Sequence, residues 1–250
     1  MASNIAGSDK VALYLSKYND CFVIIGGIAT ILVLDNLGAK TRVTKDFDIV
    51  VIADGTNDNF SKAIFKFLKD GKYKRGKKEG REIHYRFIRP EVNGFPKIIE
   101  LFSKEGNNIH SHLRKIDYIE DDEQLSVITI DSAVFEFVKN RKTIINDLPI
   151  VDEYGLVPLK VHAYFNNLSL FKEGKITNRN YYEKHLDDVI RLLAAISNVD
   201  VEIEMPEILK KNCIDFIGLL QKVDNRIKEL QIGEITADQI VERFVNVFCK

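Results

Sequence analysis

Hydrophobic residues fall along this chain in two kinds of run. Residues 21–25 (CFVII) and 47–52 (FDIVVI) are short, continuous and partly β-branched, the pattern of strands buried on both faces. Gly26 and Gly27 break the first run, and 28–37 (IATILVLDNL) reads as a nearly all-apolar helix that stops at Gly38. Upstream, residues 9–19 predict a helix with Val11, Leu13, Tyr14 and Tyr18 roughly on one side. Residues 60–69 predict another, with Phe60, Ile64, Phe67 and Leu68 at helical spacing after a turn-rich loop. Residues 72–89 read as a basic hairpin, with His84 and Arg86 on one strand face and Tyr85 and Phe87 on the other. A strand over 97–102 follows, 103–130 gives no clear pattern, and Asp131 is placed to cap a short helix over 132–139.

From about residue 155 the pattern is helical. Helices are predicted over 156–168, over 179–196 (Leu186, Val189, Leu193 and Ile196 in phase), and over 206–230 with Pro206 near the first turn. A last one starts at Thr236, where Gln239 completes a capping box. The expected fold class is α/β: a mixed sheet flanked by helices in residues 1–150, then a helical domain in 151–250.

Composition narrows the setting. A chain of 250 residues with 45% hydrophobic content buries a core without disulfides or structural metal. Its formal charge of −1 excludes wholesale electrostatic binding to nucleic acid or membrane, although a local basic patch remains able to do so. The three cysteines, Cys21, Cys213 and Cys249, follow no metal-ligand spacing and read as reduced thiols of a cytoplasmic protein. No run approaches the ~20 apolar residues of a membrane helix, and no secretory leader is visible.

The chemistry concentrates around Thr44, Asp46 and Asp48 at the mouth of the second buried strand. Residues i and i+2 of a strand share a face, so both carboxylates can converge on one or two Mg²⁺ or Mn²⁺ ions, while Phe47 and Ile49 point into the core. A solvated strand start would spell the same pair. Between a buried strand and an apolar helix, Gly26-Gly27 lets a phosphate approach backbone N–H groups at a helix start, although a bare tight turn would use it too. The spellings of a dinucleotide fold and of a P-loop are both absent. Glu100 stands mid-strand, where a charge calls for a cation or a metal unless the strand turns it to solvent. Lys160 lies in an apolar helix start, either as a phosphate ligand or as a snorkelling side chain. Arg42 and Thr44 are near enough to touch phosphate, and Arg42 could equally pair with Asp46 or Asp48. The basic run Lys72, Lys74, Arg75, Lys77, Lys78 and Arg81 reads as a solvated hairpin tip or a guide for an RNA acceptor. His110 and His112 lack a third ligand.

Gly26-Gly27-Ile28-Ala29 followed by Arg42-Val43-Thr44-Lys45-Asp46-Phe47-Asp48 resembles the polymerase-β-type nucleotidyltransferase superfamily. The segments from Gly155 to Ala163 and from Lys184 to Leu193 are similar to its AbiEii-type branch of toxins and abortive-infection proteins. The resemblance covers about a third of the chain. It implies that the glycine pair holds a triphosphate, that Asp46 and Asp48 hold metal with Glu100 as a third carboxylate, and that Lys160 contacts phosphates. Asp188 would complete the site, the helical domain thereby contributing to the nucleotide cleft. The implied reaction moves a nucleoside monophosphate from an NTP to an acceptor hydroxyl, on tRNA or another RNA, a protein or a small molecule, with an antitoxin protein as a possible partner. The chain departs from the branch at Phe165-Asn166-Asn167, where an arginine is common, and at His185, where an acid is common. A catalytically inactive binding module for a protein or RNA is the alternative these departures leave.

Overall fold

The computed structural model describes residues 5–52, 58–78, 81–104, 113–120 and 123–250; over 113–120 and 123–127 it describes the backbone. The chain folds into two compact units, one of Met1–Leu32 with Val43–Val151, the other of Val33–Arg42 with Asp152–Lys250. The second thus includes the end of an early helix, which no sequence boundary predicts.

The first unit is a mixed sheet with helices, an α/β arrangement. Its strands are β1 (Phe22–Ile25), β2 (Asp46–Val51), β3 (Lys74–Lys78), β4 (Arg81–Ile88), β5 (Ile98–Lys104), β6 (Leu113–Glu120), β7 (Glu123–Ile130), β8 (Lys142–Ile145) and β9 (Leu148–Val151). The order is β3-β4-β5-β2-β1-β9-β8. β1 runs antiparallel to β2 and parallel to β9, and β2 runs parallel to β5. β4 pairs with β5 at residues 98–100, β7 pairs with it at 102–104, and β6 hairpins onto β7. Phe22, Val23, Ile24, Phe47 and Val50 are fully buried, as their unbroken apolar runs require. Helices α1 (Ser8–Leu15), α2 (Gly26–Asn36), α3 (Asp58–Asp70) and α4 (Ser132–Asn140) accompany the sheet. Asp131 caps α4 by accepting from the N–H groups of Ala133 and Val134. Tyr14, Phe67, Tyr73 and Phe95 form an aromatic cluster with ring centroids 5.2–6.2 Å apart.

Three sequence expectations shift here. The predicted 9–19 helix ends at Leu15 and continues as a 3₁₀ turn over Ser16–Tyr18. The glycine pair is the first turn of α2 rather than a turn before it. The β8–β9 hairpin, unpredicted, is closed by Asn146 and Asp147, both with positive φ (51° and 61°), the two-residue geometry that matches strand twist.

The second unit is helical: α5 (Glu153–Lys172), α6 (Asn180–Ala195), α7 (Glu207–Leu220), α8 (Asp224–Leu230) and α9 (Ala237–Phe248). Tyr164, Phe165, Tyr182, Phe216 and Phe244 pack as a chain of tilted and edge-on rings. The single helix expected over 206–230 is two, broken at 221–223, where Val223 is buried. Asp224, opening α8, accepts from the backbone N–H of Ala237. Thr236 and Gln239 form the expected capping box of α9.

Candidate functional site

In the first unit, β1, α2 and β2 bring the glycine pair against the aspartate strand. Ile25 is the register partner of Asp48, so the end of β1 leads Gly26 directly onto that carboxylate. Gly26 has φ +71°, and a Cβ there would lie 2.0 Å from Asp48 Oδ2. Only glycine combines that backbone conformation with so close an oxygen. A Cβ at Gly27 would lie 2.7 Å from Thr44 Oγ1. Thr30 Oγ1 donates to the Gly26 carbonyl at 2.8 Å and ties the first turn of α2 together. Asp46 and Asp48 are half-buried on one face of β2, while Phe47 and Ile49 are buried on the other.

Glu100 is the register partner of Asp48 on the parallel neighbour β5, and Arg86 is the partner of Glu100 on β4. Asp48, Glu100 and Arg86 therefore form a row across the sheet on the face that also carries Asp46. Arg86 Nε lies 3.3 Å from a Glu100 carboxylate oxygen, the cation that a mid-strand charge calls for. Among the described residues, no three His, Cys, Asp or Glu side chains gather closely enough to hold a metal by themselves. Mg²⁺ asks for less, since one or two carboxylates hold it when phosphate oxygens and water fill the remaining positions. Asp46 and Asp48 meet that requirement in donor chemistry.

A groove of about 930 Å³ opens beside this row. Lys45, Lys77, Arg86, Arg89 and Lys97 bring cations to it, Glu100 a carboxylate and Tyr85 an aromatic ring. It includes part of the basic hairpin singled out from the sequence. The side chains of Lys78, Arg81 and His84, and residues His110 and His112, lie outside the described residues.

In the second unit, Asp188 on α6 is fully buried. Lys160 on α5 donates to Asp188 Oδ2 at 2.6 Å, with the lysine side chain 4% exposed. Arg42 closes on the same carboxylate in a fork, Nε to Oδ1 at 2.7 Å and Nη2 to Oδ2 at 2.9 Å. Arg42, which the sequence offered as a phosphate contact or a partner of Asp46 or Asp48, forks onto Asp188, 146 residues away. Burial by itself would raise the Asp188 pKa. The Lys160 charge and the hydrogen bonds and charge of Arg42 outweigh it and hold the carboxyl below the usual carboxylate range. Asp187 faces differently and takes a fork from Arg226 at 2.6 and 2.7 Å.

His185, one turn before Asp188 on α6, stands out in the sequence only as a departure from the AbiEii pattern. Asn167 Nδ2 donates to the Tyr181 carbonyl and lies 3.0 Å from His185 Nε2. A carbonyl can only accept, so this amide orientation is fixed, and its second N–H meets Nε2 as an acceptor. The ring proton therefore sits on Nδ1, which is buried and has no hydrogen-bond partner among the described residues. Burial first, then the charges of Lys160 and Lys184, lower the His185 pKa to about 3. The helical spacing of His185 to Asp188 was the available signal. His162 on α5 is held by Asn212 at 2.8 Å.

No family model matches this chain, and no curated protein sequence matches it. Among the described residues, no helix is long and apolar enough to cross a membrane.

Proposed function

We propose that this chain is a metal-dependent nucleotidyltransferase of the AbiEii type, moving a nucleoside monophosphate from an NTP to an acceptor hydroxyl with release of pyrophosphate. The observation that carries the reading is the approach of Gly26 to Asp48, which sets a helix start with a bare backbone beside a metal-competent carboxylate. The antiparallel β1–β2 pair joined through α2 supports it, because one connection then delivers both phosphate-binding backbone and metal ligands. When bound, Mg²⁺ or Mn²⁺ would neutralise phosphate charge and lower the pKa of the acceptor hydroxyl. Asp46 and Asp48 hold the ion, and the N–H groups at the start of α2 orient the triphosphate by its charge. Thr44, beside Gly27, limits how the phosphates seat. Catalysis on this reading is positioning and electrostatics.

Glu100 enters as a third carboxylate only when Arg86 releases it. Lys160 as a phosphate contact and Asp188 as a site residue rest on the resemblance. The acceptor is an RNA such as tRNA, a protein or a small molecule, the setting is cytoplasmic, and the toxin half of a toxin–antitoxin pair is the role the AbiEii likeness favours. A binding module without catalysis is the second reading, favoured by the Lys160 ammonium being held by Asp188.

Incubation with each α-³²P-labelled NTP, Mg²⁺ and either total RNA or cell protein tests the proposal. Label should pass to one acceptor class with pyrophosphate released, and the transfer should vanish in Asp46→Ala while the thermal melt is unchanged. Magnesium-dependent NTP binding without transfer to any acceptor favours the binding module.

A further inference from the structure

Arg191 on α6 breaks the pattern set by Arg42, Arg226 and Arg243. Arg42 and Arg226 each close a fork through Nε and Nη2, onto Asp188 and Asp187. Arg243 spends Nη1 on the carbonyls of Leu193, Ala194 and Ile196. Arg191 has no ion pair among the described residues, and its Nε is buried without a hydrogen-bond partner there. A buried N–H that meets no acceptor is destabilising, so its retention calls for a role. Arg191 lines a pocket of about 290 Å³ whose walls include Gly38, Lys40, Ala195, Ile232 and Gly233, all of the second unit. No carboxylate lines this pocket. Lys40, exposed, also has no ion pair among the described residues.

Cations often gather at helix C-termini to answer orphan carbonyls, and α2, α6 and α8 all end beside this pocket. Other groups already do that work here. Arg243 answers the end of α6, the N–H groups of Gly38 and Ala39 answer Asp35 and Leu34 of α2, and the N–H of Gln231 answers Lys228 of α8. Arg191 and Lys40 are thus two cations at a small pocket with neither caps nor carboxylates to occupy them. We infer that this pocket binds the oxyanion of a small molecule, a carboxylate or a phosphate, which takes a two-point fork from Arg191 Nε–H and Nη–H while Lys40 supplies the second charge. The fork is the one Arg42 and Arg226 already make onto Asp188 and Asp187, and its spacing matches two oxygens of one group, which a halide does not offer. The volume, near the lower end of the roughly 300–1,000 Å³ of small-molecule sites, suits a compact anion, and Ala195 and Ile232 admit a short apolar body. The position uses none of Gly26, Asp46 or Asp48, so it stands independently of the nucleotidyltransferase reading.

The test uses the full chain with sodium phosphate and sodium acetate as separate probes, read by calorimetry and thermal melts against sodium chloride at matched ionic strength. The wild type should bind at least one oxyanion at a single site, with a Tm that rises with its concentration. Binding of phosphate alone names a phosphate ligand, binding of acetate alone a carboxylate, and binding of both a general oxyanion site. Arg191→Met keeps the stem and removes the fork, so affinity should fall about 10- to 100-fold while the melt without oxyanion stays unchanged or rises. Arg191→Lys keeps the charge without the fork and should lose the preference for oxyanion over chloride. Wild-type binding no stronger than that of chloride, or equal affinity in wild type and Arg191→Met, overturns the inference. Should Arg191→Met fail to fold, NMR of the wild type decides: the Arg191 Nε–H proton should move downfield on adding the oxyanion and not on adding chloride, and an unmoved resonance overturns the inference.

Discussion

Replacing Asp188 by alanine removes the carboxylate that accepts from the Lys160 ammonium, which is 4% exposed. Arg42, 27% exposed, can turn its guanidinium toward water, so the cost falls mainly on Lys160. Removing one partner of a buried ion pair costs about 3–5 kcal/mol, because the surviving charge stays desolvated. For a chain of this length that is a fall in Tm of roughly 6–20 °C. Urea unfolding followed by circular dichroism, with calorimetry for the Tm, measures it. The double variant Asp188→Leu/Lys160→Met removes both charges and should recover most of the loss, since apolar replacement of a buried pair is often neutral. The pH profile carries a second signature. The Asp188 pKa is depressed on folding, so its contribution is complete above the unfolded value of about 3.9 and lost only as pH falls through the folded value. The gap between wild type and Asp188→Ala should therefore be flat from pH 5 to 8 and close only in stronger acid. A loss below about 1 kcal/mol, or a double variant as unstable as the single one, would refute the reasoning.

Four further outcomes follow from the same structure. Gly26→Ala should lower stability by more than about 1 kcal/mol and weaken Mg²⁺-dependent NTP binding, because positive φ and the Asp48 carboxylate both oppose a Cβ; Gly218→Ala, in α7 with nothing within 4 Å of its Cβ position, should instead stabilise by about 0.5–1 kcal/mol, both read by urea unfolding. His185 has a pKa lowered from 6.5 to about 3 on folding, so the unfolded chain binds more protons between those values and stability should rise with increasing pH by up to about 1.4 kcal/mol per unit there. His185→Asn should remove that slope in melts between pH 4 and 6.5. Arg86→Met should tighten Mn²⁺ binding several-fold by releasing Glu100 beside Asp48, and unchanged binding by electron paramagnetic resonance would assign Glu100 to its ion pair alone. Burial raises the thiol pKa of Cys21, Cys213 and Cys249, the last to about 11, so a thiol reagent at pH 8 should titrate the native chain slowly and all three cysteines at once in denaturant.

Local signals carried a good part of the fold. The unbroken apolar runs of β1 and β2 gave two central strands because nothing else accommodates such residues at that length. Asp131 and Thr236 marked helix starts because their side chains answer orphan N–H groups. Four-residue strands such as β8 and β9 carry too little periodicity to be predicted from the apolar pattern. The break between α7 and α8 is not spelled by glycine or proline; Asp224 is fixed by Ala237, a contact that helical spacing does not disclose. The same holds for the site. Asp46 and Asp48 were legible as an i, i+2 pair, whereas the Arg42–Asp188 fork joins residues 146 apart. The unpartnered His185 nitrogen follows from the orientation of one amide, which only packing determines.

The central claim is that Asp46, Asp48 and the start of α2 bind a metal–nucleotide complex. Calorimetric titration of each of the four NTPs, with and without Mg²⁺, into wild type and the Asp46→Ala/Asp48→Ala variant tests it directly. The account predicts Mg²⁺-dependent binding of one NTP by the wild type and none by an equally stable variant. Binding that survives both substitutions, or a folded wild type that binds no NTP, would contradict it.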